Sequence, residues 1–462
     1  MASAIAITGA TLIDGRGGIP IPNATVLIEG DRIGAVGSGD TVIIPAGATV
    51  IKATNAFIIP GIVNGNVHLL DGIMMMGAGG VEYLARYEGN FTGVIEEASQ
   101  VALRNGVTTL FDTWNATGPV LAARDRIASG RTSGARMFAA GNIVGMGGPF
   151  THDFNAGARA VISDTFAKRM DNMFEAGVGP GLSLKRPSDV RAIVRDYIAR
   201  GVDMLKIAIS DHLVTVTFST MDRTYLTFSP RCLGVMADEA RAAGIPLLTH
   251  TMGVEALELA TDLGADVLVH ASLTYQQPIP HDLVDKILKA GSTCGLQTVS
   301  DEYQNRLEAV NHPWAAYGGY VHAENERLLI KAGVPVMLGT DAGCTSHDVL
   351  TDSGEINDPH RPWSLGTDHV AWARGIVQKG MSEMNAISAS TLNVARAYGK
   401  GDLIGSIEPG KLADLVILDA DPLLDIGNMA SVRTVFQNGR PIDRENLPLA
   451  PLVTGPSPTD PS

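Results

Sequence analysis

The chain has 462 residues, a formal net charge of −14 and a hydrophobic fraction of 45%, with only 18% charged residues. This length exceeds one ordinary domain and suits a large barrel with a small companion domain. The acidic balance argues against nucleic-acid binding, which needs a basic face. No stretch approaches the roughly 20 apolar residues that span a bilayer, so we expect no membrane partner.

Cysteine usage and the first residues indicate the compartment. Cys232, Cys294 and Cys344 are odd in number, widely spaced and without a CxxC pair. This pattern predicts neither a disulfide framework nor a thiolate metal site. The start of the chain also lacks the pattern of a secretory signal peptide. The sequence therefore predicts a cytoplasmic protein.

Both ends of the chain carry short strand patterns separated by turns. The first 55 residues contain runs such as Ala24 to Glu29, and a matching pattern returns at Lys411 to Asp419 and at Val432 to Gly439, where Asn438-Gly439 predicts a hairpin turn. We predict one small β-sandwich domain built from residues 1–60 and 399–448. Residues 449–462, rich in proline, serine and threonine, are predicted to form a flexible tail.

Between these ends, apolar β runs alternate with helical patterns. Thr92 to Asn105 predicts a helix before the strand Val107 to Phe111, and Pro187 to Arg200 predicts another before Val202 to Ile209. Repeated βα units predict a (β/α)8 barrel of the TIM type over residues 61–398. An open doubly wound sheet is disfavoured because the chain lacks a glycine fingerprint for a dinucleotide.

Potential metal ligands lie at the ends of several apolar runs. They are Asn66, His68, Lys206, His250, His270 and Asp341. Imidazole and carboxylate are the ligands expected for zinc, cobalt, manganese or iron, and a barrel collects such side chains at the carboxyl ends of its strands. A single histidine at a strand end is more often structural than a ligand. The recurrence of the same placement favours a metal centre.

Four stretches resemble the amidohydrolase superfamily, and the resemblance spans nearly the whole chain. They are Phe57 to His68, Ala102 to Thr109, Leu338 to Asp341 and Gly405 to Val416. The resemblance implies a barrel hydrolase that binds one or two divalent ions and forms a homo-oligomer. In the prolidase-like branch, the lysine at the position of Lys206 is carboxylated and bridges two metals, which implies the same modification here.

Asn66 departs from the pattern of the superfamily, whose members usually have histidine at this position. An Asn-x-His motif is similar to the subgroup that contains molinate hydrolase and the phenylurea hydrolases, enzymes that break the carbonyl–nitrogen bond of herbicides. The neutral amide oxygen of asparagine is a weaker ligand than imidazole. The sequence therefore leaves open whether one ion or two are bound.

The residues at the strand ends have distinct expected roles. Asn66, His68 and Asp341 are predicted to hold one ion, His250 and His270 a second, with carboxylated Lys206 between them. Asp341 is also the predicted proton acceptor, which returns the proton to the departing nitrogen. Two further histidines, His152 and His212, are candidates for stabilising the oxyanion, although each is at least as well explained as an ordinary loop residue.

Apolar side chains in two glycine-rich loops give an indication of the polarity of the substrate. Met74, Met75, Met76, Met146 and Phe150 lie in loops expected over the barrel mouth. Thioether side chains adapt to irregular apolar ligands, which favours a small uncharged hydrophobic substrate. The alternative is that these side chains pack the loops against each other.

The leading hypothesis is a metal-dependent hydrolase of phenylureas or N,N-dialkyl thiocarbamates. The first alternative is an Xaa-Pro or related dipeptidase, in which Arg231 or Arg361 would bind the substrate carboxylate. A deaminase is disfavoured because Lys206 would have no role in it. The alternative from another class is a non-catalytic barrel that acts as a binder or scaffold.

Overall fold

The computed structural model describes residues 4–210, 226–275, 277–310, 315, 319–352 and 361–455. Its strands are β1 (Ile5–Leu12), β2 (Ile21–Glu29), β3 (Arg32–Ser38), β4 (Thr49–Lys52), β5 (Phe57–Pro60), β6 (Ile62–Leu70), β7 (Val107–Asp112), β8 (Arg136–Ala139), β9 (Leu205–Ala208), β10 (Leu247–His250), β11 (Val267–Val269), β12 (Thr293–Leu296), β13 (Val336–Leu338), β14 (Ala342–Cys344), β15 (Leu415–Leu418), β16 (Val432–Gln437) and β17 (Arg440–Pro441).

The α-helices fall mainly between the barrel strands. They are α1 (Gly72–Met76), α2 (Gly80–Tyr87), α3 (Phe91–Arg104), α4 (Thr117–Ala128), α5 (Ala156–Arg159), α6 (Asp164–Glu175), α7 (Pro187–Ile198), α8 (Pro230–Ala243), α9 (Val254–Asp262), α10 (His281–Ala290), α11 (Asp301–Ala309), α12 (Tyr320–Ala332), α13 (His347–Asp352), α14 (Asp368–Gln378), α15 (Glu383–Ala389) and α16 (Leu392–Ala397). The predicted helices after Thr92 and Pro187 are confirmed as α3 and α7.

The two chain ends build one small sheet, as the sequence predicts. Its strand order is β17-β16-β15-β5-β1-β2-β3, with β4 paired to β1. The junction is the antiparallel pair of β15 and β5, where Val416 lies opposite Ile59. Asn438 and Gly439 both adopt positive φ, 49° and 75°, which matches the predicted two-residue hairpin turn. This sheet has its own core, which includes Ile7, Leu12, Val26, Ile58 and Phe436.

The strands β6 to β13 form the predicted barrel. Neighbouring strands pair in parallel within β6-β7-β8 and within β9-β10-β11-β12-β13. The parallel bridge between Val144 and Ile207 joins the two groups on one side. On the other side, Asp341 N donates to Asn66 O at 2.9 Å. Because both seams are closed by backbone contacts, the carboxyl ends of all eight strands face one opening.

The segment after residue 448 differs in part from the expected flexible tail. Backbone N–H groups of Leu452, Val453 and Thr454 donate to the buried carboxylate of Glu97 on α3, at 2.7, 2.9 and 2.8 Å. A charged acceptor that receives several N–H groups orders the backbone that supplies them. Residues 456–462 lie outside the described residues. The domain boundaries after residues 60, 398 and 448 stay predictions.

Two further observations bear on the composition arguments. All three cysteines are buried and carry free thiols. Among the helices of the described ranges, none has both the length and the apolar character needed to cross a membrane.

Candidate metal centre

The barrel brings the six predicted ligands to one end. Asn66 and His68 lie on β6, Lys206 lies on β9, and His250 ends β10. His270 directly follows β11, and Asp341 directly precedes β14. All six are at most 7% exposed. Because buried polar groups need partners, six of them on neighbouring strand ends define a polar centre inside an apolar barrel.

Asp341 lies close to two histidines of this centre. Its Oδ1 is 3.4 Å from His68 Nε2, and its Oδ2 is 3.6 Å from His270 Nε2. Two ligands of one tetrahedral ion with bonds near 2.1 Å are about 3.4 Å apart, so the separation of His68 and Asp341 fits one ion held by this pair. Asp341 and His270 also adopt positive φ, 56° and 61°. Non-glycine residues rarely adopt this conformation, which is found in turns and at functional sites.

Lys206 and Asn66 share a hydrogen-bond network. Lys206 Nζ is 3.2 Å from Asn66 Oδ1 and 3.0 Å from Thr113 Oγ1. The Thr113 hydroxyl donates to Asn66 Oδ1, and Asn66 Nδ2 donates to Asp341 Oδ1. Burial lowers the pKa of Lys206 to about 8, although the charges of Asp341 and Asp112 oppose this shift. A substantial fraction of the amine is therefore neutral near pH 8.

His68 has the protonation state that metal binding requires. Burial lowers the pKa of His68 to about 3, against the opposing charge of Asp341. The imidazole is therefore neutral at physiological pH and keeps a lone pair that can bind a metal ion. The His250 and His270 rings lie edge to face with centroids 5.0 Å apart. The Trp114 ring meets the His68 ring edge on, with centroids 5.6 Å apart, and this contact restricts the orientation of His68.

The donor set fits a metal centre that depends on Asn66 and Lys206. In the described part of the chain, no three side chains of histidine, cysteine, aspartate or glutamate are placed to hold an ion together. Each predicted ion has two such ligands, His68 with Asp341 or His250 with His270. The remaining donors are the Asn66 amide and a modified Lys206, and the mixture of nitrogen and oxygen ligands suits zinc, cobalt, manganese or iron.

Of the two candidate oxyanion histidines, the structure describes one, His152. His152 is exposed in a turn, unlike the six buried residues, so it is not part of the buried centre, and its role in stabilising the oxyanion stays a prediction. In the same loop, Gly147 N donates to the Asp153 carboxylate at 2.6 Å. His212 lies outside the described residues.

The methionines of the two loops pack into the core. Met74, Met75, Met146 and Phe150 are at most 2% exposed and belong to the main hydrophobic cluster of the barrel. Asn155 Nδ2 ties the second loop to the first through Met75 O, at 3.0 Å. These side chains therefore stabilise the loops, which was the alternative explanation, and they do not support the argument for an apolar pocket.

Arg361 is already bound by the protein. Its guanidinium donates to Asp71 Oδ2 at 2.9 Å and to Thr345 Oγ1 at 3.0 Å, and Arg361 and Asp71 are 3% and 0% exposed. Asp71 also caps α1 by accepting from Met74 N. This buried pair leaves Arg361 unsuited to binding a substrate carboxylate, the role considered for it in a dipeptidase. The other candidate, Arg231, is exposed in the first turn of α8.

Several polar residues around the centre were missed by the sequence analysis. Gln297 Nε2 donates to Asp341 Oδ2 at 2.8 Å. Thr113 contacts Lys206, and the Asp368 carboxylate accepts from Asn64 Nδ2 and Thr340 Oγ1, each at 2.9 Å. Gln297 and Thr113 directly follow the strands β12 and β7. The criterion that identified the ligands, a polar residue at the end of an apolar strand, would have found both.

A cavity of about 950 Å³ lies at another place in the fold. It is lined by residues of the small sheet, such as Asn438, and by the starts of barrel elements, such as Arg136 and Met137 on β8. The metal-centre residues are at the opposite ends of the strands. This cavity is therefore separate from the candidate site.

A model of the amidohydrolase family matches residues 57–442, which cover the barrel and four strands of the small sheet, β5 and β15 to β17. The chain belongs to the amidohydrolase family. Among solved structures, that of molinate hydrolase is similar over 100% of this chain and 99% of its own, with 52% identity and a TM-score of 0.95. The structure of phenylurea hydrolase B is similar over 98% of this chain and 100% of its own, with 56% identity and a TM-score of 0.95.

Curated relatives are more distant. An imidazolonepropionase of Geobacillus kaustophilus is 28% identical over 219 residues, which are 46% of this chain and 43% of that protein. The alignment thus spans less than half the length of either protein. It agrees with the family and carries no information on the substrate.

Proposed function

We propose that the protein is a metal-dependent hydrolase that cleaves the carbonyl–nitrogen bond of phenylureas or N,N-dialkyl thiocarbamates. The observation that carries this proposal is the buried centre around Asp341, on a chain similar from end to end to molinate hydrolase and phenylurea hydrolase B. The net reaction of a phenylurea consumes one water and releases an arylamine, carbon dioxide and a dialkylamine. A thiocarbamate releases a thiol in place of the arylamine.

The proposed metal ligands divide into two sets. Asn66, His68 and Asp341 would hold one ion, and His250 and His270 would hold another, with carboxylated Lys206 between them. The neutral fraction of Lys206 supports this modification, because only a neutral amine reacts with carbon dioxide. A bound divalent ion would lower the pKa of water to about 7 and would polarise the substrate carbonyl. Zinc, cobalt, manganese and iron all suit these donors.

Asp341 has the central role in moving the proton. Its carboxylate lies between His68 and His270. We assign to it the acceptance of the water's proton and the return of that proton to the departing nitrogen. The surrounding burial excludes bulk water and strengthens the electrostatic interactions in the centre.

The substrate is proposed to be small and uncharged. Arg361, the buried cation near the strand ends, is neutralised by Asp71, so a substrate carboxylate would gain nothing from it. This arrangement disfavours the dipeptidase. A non-catalytic scaffold is disfavoured because such a protein has no need to keep six potential ligands buried together. A cytoplasmic location and a homo-oligomeric state stay part of the proposal.

The direct test compares substrates and one variant. We expect the protein to release amine from a phenylurea or a thiocarbamate and to leave an Xaa-Pro dipeptide intact. Asp341→Ala should lower the rate by at least about 1000-fold while the circular dichroism spectrum stays unchanged, because the proton acceptor and a metal ligand are lost together.

Asp125→Ala, which removes an exposed aspartate of α4, is the matched control and should keep full activity. Preferential hydrolysis of the dipeptide would favour the peptidase. Full activity of Asp341→Ala would refute the assigned proton acceptor.

A further inference from the structure

Gln297 is a buried amide in the centre to which no role has yet been given. It directly follows β12, is 8% exposed, and donates from Nε2 to Asp341 Oδ2 at 2.8 Å. The other carboxylate oxygen, Oδ1, accepts from Asn66 Nδ2. Each oxygen of Asp341 therefore has one amide donor.

This pair of donors restricts the terminal torsion of the Asp341 side chain. The terminal torsion of an aspartate is broad and roughly two-fold, so packing alone does not define the plane of its carboxylate. Donors on both oxygens define this plane, and a hydrogen bond to an ionised acceptor is stronger than one between neutral groups. Gln297 therefore determines which lone pairs of Asp341 Oδ2 stay available for a proton.

The backbone that carries Gln297 is held on two sides. On one side, Trp372 Nε1 of α14 donates to Leu296 O at 2.7 Å, and a Cβ at Gly375 would come within 3.0 Å of Val299 backbone atoms. On the other side, Thr298 Oγ1 donates to Glu326 of α12 at 3.0 Å. A donor built on such a restrained segment keeps its position during a reaction.

The same helix also holds the segment that precedes Asp341. Asp368, the first residue of α14, accepts from Thr340 Oγ1 at 2.9 Å and from Asn64 Nδ2 at 2.9 Å. The backbone segments that carry Gln297 and Asp341 are therefore both hydrogen-bonded to side chains of α14. Their relative position is set by one rigid element rather than by two independent loops.

We propose that Gln297 is a positioning residue that orients the Asp341 carboxylate for proton delivery to the departing nitrogen. This inference rests on the proposed function. Proton transfer needs the donor and acceptor atoms about 2.6–3.2 Å apart and aligned, so rotation of the carboxylate costs more in this step than in substrate binding. The demand for a delivered proton grows with the basicity of the leaving amine, because a strongly basic amine does not depart as an anion.

The test uses Gln297→Met with a series of para-substituted phenylureas whose leaving anilines differ in basicity. We expect kcat to fall about 10- to 100-fold with little change in KM, because a hydrogen bond to a charged acceptor is lost. The fall should be largest for the most basic aniline, and the metal content should equal that of the unsubstituted protein. Gln297→Asn, whose amide is shorter by one bond of about 1.5 Å, should show a smaller loss with the same trend.

Gln100→Met is the matched control. Gln100 is 4% exposed on α3, where its amide binds Ser133 O and Leu449 N, and the substitution should leave the rates unchanged. An equal loss for all anilines, or loss of metal from Gln297→Met, would overturn the positioning role. Failure of the unsubstituted protein to hydrolyse any phenylurea or thiocarbamate would instead overturn the proposed function.

Discussion

Lys206 lies 1% exposed in the barrel wall and donates hydrogen bonds to Asn66 and Thr113, two neutral side chains. An ammonium group in such surroundings is costly, which is why burial lowers its pKa to about 8. Carboxylation of the neutral amine forms a carbon–nitrogen bond to carbon dioxide and releases a proton. The product is an anion, which suits a divalent ion far better than a buried cation does.

Lys206→Ala tests this reading of the side chain. We expect the variant to lose bound metal and activity, and to recover part of both when a small carboxylate such as acetate fills the vacated space. Elemental analysis and amine release measure the two effects. Lys286→Ala, which removes a partly exposed lysine of α10, is the control and should change neither. Unaltered metal content in Lys206→Ala would remove the bridging role from the proposal.

The buried Asp71–Arg361 ion pair contributes to the stability of the fold. Arg361→Met should lower the free energy of unfolding by about 3–5 kcal/mol, because Asp71 is left as an unpaired buried charge. Asp71→Asn combined with Arg361→Met should recover much of this loss. Denaturant unfolding measures both variants. Unchanged stability in Arg361→Met, together with lost turnover of charged substrates, would support the dipeptidase instead.

At the scale of elements, a glycine-rich loop is held by three carboxylates. Gly147 N donates to Asp153, Gly148 N to Glu175 and Phe150 N to Asp171, at 2.6, 3.3 and 2.8 Å. Burial raises the pKa of Glu175; the Gly148 N–H opposes this shift, and the charges of Asp171 and Asp153 add to it. A carboxyl group whose pKa is raised in the folded state binds its proton more tightly there than in the unfolded chain. Ionisation of Glu175 as the pH rises therefore lowers the free energy of unfolding.

Glu175→Gln tests this pH dependence. The substitution removes the charge and keeps an acceptor for Gly148 N, so the variant should be more stable than the unsubstituted protein at pH 7. We expect a gain below about 1 kcal/mol, since solvent screens a partly exposed group. The gain should vanish below about pH 4, where the carboxyl group is protonated in both states.

Thermal unfolding at several pH values measures this difference. Glu255→Gln, at an exposed position of α9, is the control and should show no such trend. A Glu175→Gln variant that is less stable at pH 7, or one whose difference does not depend on pH, would contradict the assignment.

At the scale of the whole molecule, the sequence predicts the barrel, the small sheet and the six buried ligand candidates, because each depends on a local pattern. Strand ends such as Val269-His270 carry both the β signal and the polar residue. The commitment of Arg361 to Asp71 depends on two residues 290 positions apart, which no local pattern contains. The anchoring of Leu452 to Glu97 was missed for the same reason.

The packing of Met74 and Met146 could not be predicted from the sequence for a different reason. A methionine in a glycine-rich loop has the same sequence pattern whether it lines a pocket or fills a core. The outcome depends on the loops meeting each other, as when Asn155 binds Met75 O. Gln297 was detectable by the strand-end criterion, but its role depends on its distance from Asp341, which only the folded barrel defines.

The most direct test of the account is to measure metal content and amine release together. The purified protein is stripped with a chelator, reconstituted with zinc, cobalt, manganese or iron, and assayed with a phenylurea and a thiocarbamate. We predict one or two bound ions per chain, loss of amine release on stripping, and its return with at least one of the four metals. A protein that binds no metal and stays inactive after reconstitution would contradict the account and favour a scaffold.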